Sequence, residues 1–178
     1  MNMYFIALVA PEEINRQVVK WKSWMKERYS CSAALRSPAH ITLVPPFWMK
    51  PEPEASLMTS LDEFSATQTG FIIQLKNFSH FKDKVLFVDV IPDDRLKGLQ
   101  TGLHSFLTGK GEYPLKKEDR PFHPHVTLAT RDLHKRDFYE AWEHFKEKKY
   151  EKEWIVQGIA LLRHNKKNWD VIKASQFA

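Results

Sequence analysis

The sequence predicts an α+β fold of two lobes related by an approximate two-fold axis. Three observations predict it. Strand-like and helix-like segments mix along the chain, the motif His-x-Thr-Leu occurs twice, and a helix and then a strand pair follow each copy. With 178 residues, six Trp and twelve Phe, the chain has enough apolar area for one core shared by both lobes. No linker-like or low-complexity stretch divides it, so residues 1–178 are expected to form a single domain of two intertwined lobes.

Tyr4 to Val9 is short and apolar and reads as a buried strand. Pro11-Glu12-Glu13 starts a helix, with proline in the first turn and acids at the positive end of the dipole. Ile14, Val18, Trp21 and Met25 give it an apolar face as far as Tyr29. Leu35 to Phe47 is a strand carrying the first motif, ended by Pro45-Pro46. A second helix presents Leu57, Leu61 and Phe64. Strands follow at Phe71 to Phe78 and Val85 to Ile91, with a turn over His80 to Lys84. Pro92-Asp93-Asp94 opens a third helix with Leu96, Leu99, Leu103 and Phe106, punctuated by Gly109 and Gly111. After a polar loop, Glu112 to Arg120, a strand over Phe122 to Thr130 carries the second motif. A fourth helix presents Phe138, Trp142 and Phe145. Two last strands, Trp154 to Leu162 and Trp169 to Lys173, flank a turn at His164 to Asn168.

The net charge of +5 and the isoelectric point near 9.2 suit an anionic partner such as phosphate or RNA. Cys31 is the only cysteine, which excludes an internal disulfide and Cys-rich zinc sites. The apolar run at Met1 to Ala10 is too short, and wrongly flanked, for a signal peptide or membrane span. A cytoplasmic location is expected. So is a monomer, since no long heptad seam calls for an obligate oligomer.

Given eight His, eight Thr and sixteen Leu, random placement predicts roughly 0.03 occurrences of His-x-Thr-Leu. The chain has two, at matching points of the repeat. Strand alternation puts His40 and Thr42 on one face and Ile41 and Leu43 on the other; His125 and Thr127 share a face in the same way. If the motif strands adjoin, a cleft floor carries two imidazoles and two hydroxyls. That set fits phosphodiester hydrolysis. One neutral imidazole takes a proton from water, and one protonated imidazole gives a proton to the departing sugar oxygen. The hydroxyls donate to the non-bridging phosphate oxygens.

Pro38-Ala39-His40-Ile41-Thr42-Leu43 and Arg120-Pro121-Phe122-His123-Pro124-His125-Val126-Thr127-Leu128-Ala129 resemble the 2H phosphoesterase superfamily, in particular its 2′-5′ RNA ligase-like, or RNA 2′,3′-cyclic phosphodiesterase, branch. The resemblance covers nearly the whole chain. It implies two antiparallel sheets lining a central groove, with helices on the outside. It implies His40 and His125 as the catalytic pair and Thr42 and Thr127 as phosphate binders. It also implies hydrolysis of 2′,3′-cyclic phosphate ends of RNA or small cyclic nucleotides to 2′-phosphates, without a cofactor, and in some members reversible 2′-5′ joining of RNA.

The sequence departs from the family at two points. Relatives often place Arg directly after the second Leu-Ala, where this chain has Thr130 and then Arg131. On a regular strand a shift of one reverses the face. The first motif runs into Val44-Pro45-Pro46-Phe47 rather than a Phe-Leu-Gly-like loop. Candidate substrate contacts are Arg120, Phe47, Phe122 and His123; Trp48, Tyr113, Arg36 and Arg131 also flank the motifs. Two other readings compete. One is a module that binds RNA or a nucleotide phosphate without turning it over. The other is a metal hydrolase built on His40, His123 and His125. His80, His104, His134, His144 and His164 are expected to be solvated.

Overall fold

A computed structural model describes residues 1–178. Its strands and helices are β1 (Asn2–Val9), α1 (Glu12–Tyr29), β2 (His40–Met49), α2 (Glu54–Ala66), β3 (Phe71–Phe81), β4 (Val85–Val90), α3 (Asp94–Lys110), β5 (His125–Ala129), α4 (Lys135–Phe145), β6 (Glu151–Val156), β7 (Gly158–His164) and β8 (Trp169–Gln176). The strands form two four-stranded sheets, ordered β2-β1-β7-β8 and β5-β4-β3-β6, with every pairing antiparallel. The two sheets correspond position by position, and the motif strands β2 and β5 are the equivalent edges. Those edges lie against each other. This is the α+β, two-fold arrangement that the repeat predicts.

The chain crosses between sheets twice. After β2 and α2 it enters the second sheet as β3, and after α4 and β6 it returns to the first sheet as β7. The expected single strand Trp154 to Leu162 is therefore two strands in different sheets, broken at Gln157. Apolar residues on both sides of Gln157-Gly158 let the segment read as one strand. Gly158 marks the switch: a Cβ there would stand 2.5 Å from the Ser175 carbonyl oxygen, an approach only glycine allows.

Pro45-Pro46 does not end the motif strand. β2 runs on to Met49, its pairing with β1 slips near Val44, and both prolines point to solvent. Proline is tolerated because β2 is an edge strand and needs no donor on its open side. Leu35 lies instead in a 3-10 turn, Ala33–Arg36, ahead of β2.

The helices close the outer sides. α1 packs on β5 and α3 on β2, so each motif strand is backed by a helix entering from the other half of the chain. Asp93 caps α3 by accepting from the Arg95 and Leu96 amides, and Gly111 ends it in the left-handed region at φ 68°. One continuous buried core joins both sheets, from Tyr4 and Ile6 to Val126 and Trp154. No helix is long and apolar enough to cross a membrane.

Candidate active site

Strand alternation places the motif side chains. Ile41, Leu43, Val126 and Leu128 are fully buried in the core, while His40, Thr42, His125 and Thr127 stand half-buried on the opposite face. A cavity of about 280 Å³ on one side of the junction is lined by His40, Thr42 and Thr127. A second, on the other side, is lined by His125 and Thr42. The two motifs thus share one groove, with Thr42 on both cavities and Thr127 reaching the side of His40.

The two histidines are held in the same way. His40 Nδ1–H donates to the Pro38 carbonyl at 2.7 Å, and His125 Nδ1–H donates to the His123 carbonyl at 2.7 Å. A carbonyl only accepts, so each Nδ1 carries the proton and each Nε2 is left free. Each ring also packs on phenylalanine: His40 on Phe5 at 4.8 Å between centroids, His125 on Phe81 and Phe87 at 4.9 and 5.0 Å.

The electrostatics are depressed on both sides. Burial pushes His40 down to about 4, and the nearby charges of Lys22 and His125 add to the effect. Burial also lowers His125, with His123 adding to the effect and Asp89 opposing it. Both rings are therefore neutral in the free protein at pH 7.

The surrounding candidates divide. Arg120, Phe122 and His123 line the cavity beside His125. His123 Nε2–H donates to Asp89 Oδ1 at 3.2 Å, and no group of three His, Cys, Asp or Glu side chains gathers to hold a metal ion. Arg36 and Arg131 line the cavity beside His40. The one-residue shift of Arg131 does not carry it away, because β5 has ended at Ala129 and the chain is already turning. Phe47 is not at the groove. It is buried and stacked on Tyr4, its cross-strand partner, at 5.9 Å. Tyr113 is likewise buried, bonded to Ser60 at 2.7 Å, while Trp48 is exposed and lines neither cavity.

Sequence reasoning missed Lys22, Phe5 and Trp169, which line the cavity of His40, and Phe81, which lines that of His125. His164, expected to be solvated, lines the first of these and packs on Trp169 at 4.9 Å. His80 and His144 also pack on tryptophan, against Trp142 and Trp24. Lys22 was legible in principle: it falls between Val18 and Met25 on the apolar face of α1.

Known proteins share this fold. Over the whole chain the fold resembles E. coli LigT complexed with 3′-AMP (TM-score 0.70, 21% identity, 99% of this chain and 98% of that one). It also resembles TT0787 of Thermus thermophilus (TM-score 0.66, 20% identity, the same coverage). A Bacillus pumilus (strain SAFR-032) protein named "Putative phosphoesterase" is 29% identical over 109 residues, which span 60% of this chain and 59% of that protein. The family model of the 2′-5′ RNA ligase superfamily matches residues 10–168. By that match, and by its paired His-x-Thr-Leu strands, the chain belongs to the 2′-5′ RNA ligase superfamily of 2H phosphoesterases.

Proposed function

We propose that the protein is a phosphodiesterase that opens 2′,3′-cyclic phosphates, at RNA ends or on small nucleotides, to 2′-phosphates by two-histidine acid–base catalysis. One observation carries the reading: two imidazoles stand on adjoining edge strands, each fixed through Nδ1–H to a carbonyl two residues back, each with Nε2 free.

The reaction needs one proton taken and one given. The Nε2 of a neutral imidazole accepts a proton from water as the water oxygen bonds to phosphorus. The Nε2–H of the other imidazole, protonated, donates to the 3′ oxygen as its bond to phosphorus breaks. The products are a 2′-phosphate and a 3′-hydroxyl. Both rings are neutral in the free protein, so the second proton enters with the substrate, whose negative charge raises the histidine beside it. The hydroxyls of Thr42 and Thr127 donate to the non-bridging oxygens, where negative charge builds. The imidazoles supply both proton transfers, so the scheme needs no metal step. With a ribose 5′-hydroxyl in place of water as the nucleophile, the same ring-opening joins RNA through a 2′-5′ linkage and leaves a 3′-hydroxyl, and its reverse cleaves that linkage.

The test is product analysis with 2′,3′-cyclic AMP and a short RNA bearing a 2′,3′-cyclic end, in the presence of chelator. A 2′-phosphate from the wild type and none from His125→Ala supports the reading. No product from either substrate, with binding retained, makes the groove a phosphate-binding module instead. Turnover that chelator abolishes assigns the chemistry to a metal.

A further inference from the structure

Lys22 is a buried lysine whose single hydrogen bond leaves most of its charge unmet. It is 2% exposed, among Ile14, Val18 and Met25 on the inward face of α1. Its Nζ has three protons and one recorded acceptor, the Ser37 carbonyl at 3.0 Å. No carboxylate lies within 4.0 Å of it. A buried ammonium without a counter-ion is costly, and burial pushes Lys22 down to about 8, which still leaves it mainly charged at neutral pH.

The cavity that Lys22 lines explains the missing counter-ion. Arg36 and Arg131 line it too, and neither guanidinium makes an ion pair or a side-chain hydrogen bond. Ser37, Thr127 and Thr130 add hydroxyls, and none of the lining residues is acidic. The cavity of His125 differs, since Glu118 lines it beside Lys82, Lys84 and Arg120. Lys22 lines only the cavity of His40, whereas Thr42 lies on both. With the phosphate under attack held at Thr42, the threonine common to both cavities, the three cations line only the His40 side.

Resting on the phosphodiesterase reading of the groove, we propose that Lys22, with Arg36 and Arg131, forms a second anion subsite on the side of His40. It takes a substrate phosphate other than the one being cleaved. The favoured substrate class is then a cyclic phosphodiester that carries a further phosphate, as an oligonucleotide end or a phosphorylated nucleotide does, over one with a single phosphate. A phosphate there supplies the counter-ion that the fold withholds from Lys22, through charge-assisted hydrogen bonds.

Binding of unreactive probes tests this without turnover, so it can fail or hold independently of the proposed reaction. Calorimetry compares 3′-AMP with adenosine 3′,5′-bisphosphate. The wild type binds the bisphosphate tighter by roughly tenfold or more, the scale of one charge-assisted contact. Lys22→Met removes most of that advantage, read as the ratio of the two affinities within the same variant, while Lys22→Arg keeps part of it. Arg131→Gln, at an exposed position, reduces the advantage even if Lys22→Met proves unstable. Equal wild-type affinity for the two probes overturns the proposal, as does an advantage that survives in Lys22→Met and Arg131→Gln. An equal loss of 3′-AMP affinity in Lys22→Met places Lys22 on the cleaved phosphate and also overturns the second subsite.

Discussion

The lobe of His40 and the lobe of His125 present the same imidazole in different surroundings. Both rings donate from Nδ1 to a carbonyl two residues earlier, at 2.7 Å in each case. Behind that common hinge the lobes diverge. His40 pairs across the strands with Val9, has the Lys22 charge nearby, and follows a segment bonded to α1. His125 pairs with Asp89, which accepts from His123, and follows a stretch without regular structure. The two lobes share what fixes the tautomer and differ in the charge behind each ring. A cation sits by one histidine and an anion by the other.

The largest test of this comparison removes each ring. His40→Ala and His125→Ala should each lower kcat by at least ~10²–10⁴, with the fold intact by circular dichroism. The double variant should fall little further, because the rings act as one unit. If either single variant keeps most of its activity, the lobes are not partners in one reaction. Thr42→Val and Thr127→Val should cost less, on the order of 10² in kcat, as loss of one donor to a developing oxyanion does elsewhere. Unequal losses would show which lobe carries the charge in the transition state.

How much of this was legible in the sequence follows from the same contrast. Strand alternation placed His40, Thr42, His125 and Thr127 on one face and Ile41, Leu43, Val126 and Leu128 in the core, because period-2 geometry is local. The apolar spacing located all four helices. Phe47 was not legible in the same way, because alternation slips at Val44 and Pro45 before Phe47 turns inward against Tyr4. Sheet membership was not local. Within Trp154 to Leu162 only Gln157-Gly158 interrupts the apolar run, and that break does not say which sheet each half joins. Lys22 was hidden by its type, since charge reads as surface until its position on the α1 face is counted.

A finer test reads the opposed charges directly. Lys22 holds His40 down, whereas Asp89 opposes the lowering of His125. Lys22→Met should therefore raise the His40 titration midpoint, and Asp89→Asn should lower that of His125, each followed by ring-proton NMR in the free protein. Shifts of the same sign in both lobes would remove the asymmetry. The depressed His40 also links pH to stability. Its folded pKa, about 4, lies below the unfolded value of about 6.5, so the unfolded chain takes up a proton that the folded protein refuses. Stability should fall as pH drops from about 6.5 to about 4, and the His40→Ala profile should be flatter over that window.

The smallest expected effect concerns the segment before His40. Asn15 Oδ1 accepts from the Ala39 amide at 2.8 Å, and Ala39 itself is fully buried. Asn15 and Lys22 are seven residues apart, hence on one face of α1, and together they tether Ser37 to Ala39, the turn that supplies the carbonyl holding the His40 ring. Asn15→Ala leaves that amide unpaired in the interior, at a cost of about 1–3 kcal/mol. Its melting temperature should fall by several degrees. Asn15 touches no substrate, so its effect on turnover passes through the orientation of His40: kcat should drop a few-fold with KM nearly constant. Asn15→Asp keeps the accepting oxygen and should restore both. No helix side chain bonds the residues just before His125, so the comparison predicts that only the first lobe has a ring that loosens from behind. A change in KM with kcat preserved would instead assign Asn15 to the shape of the groove.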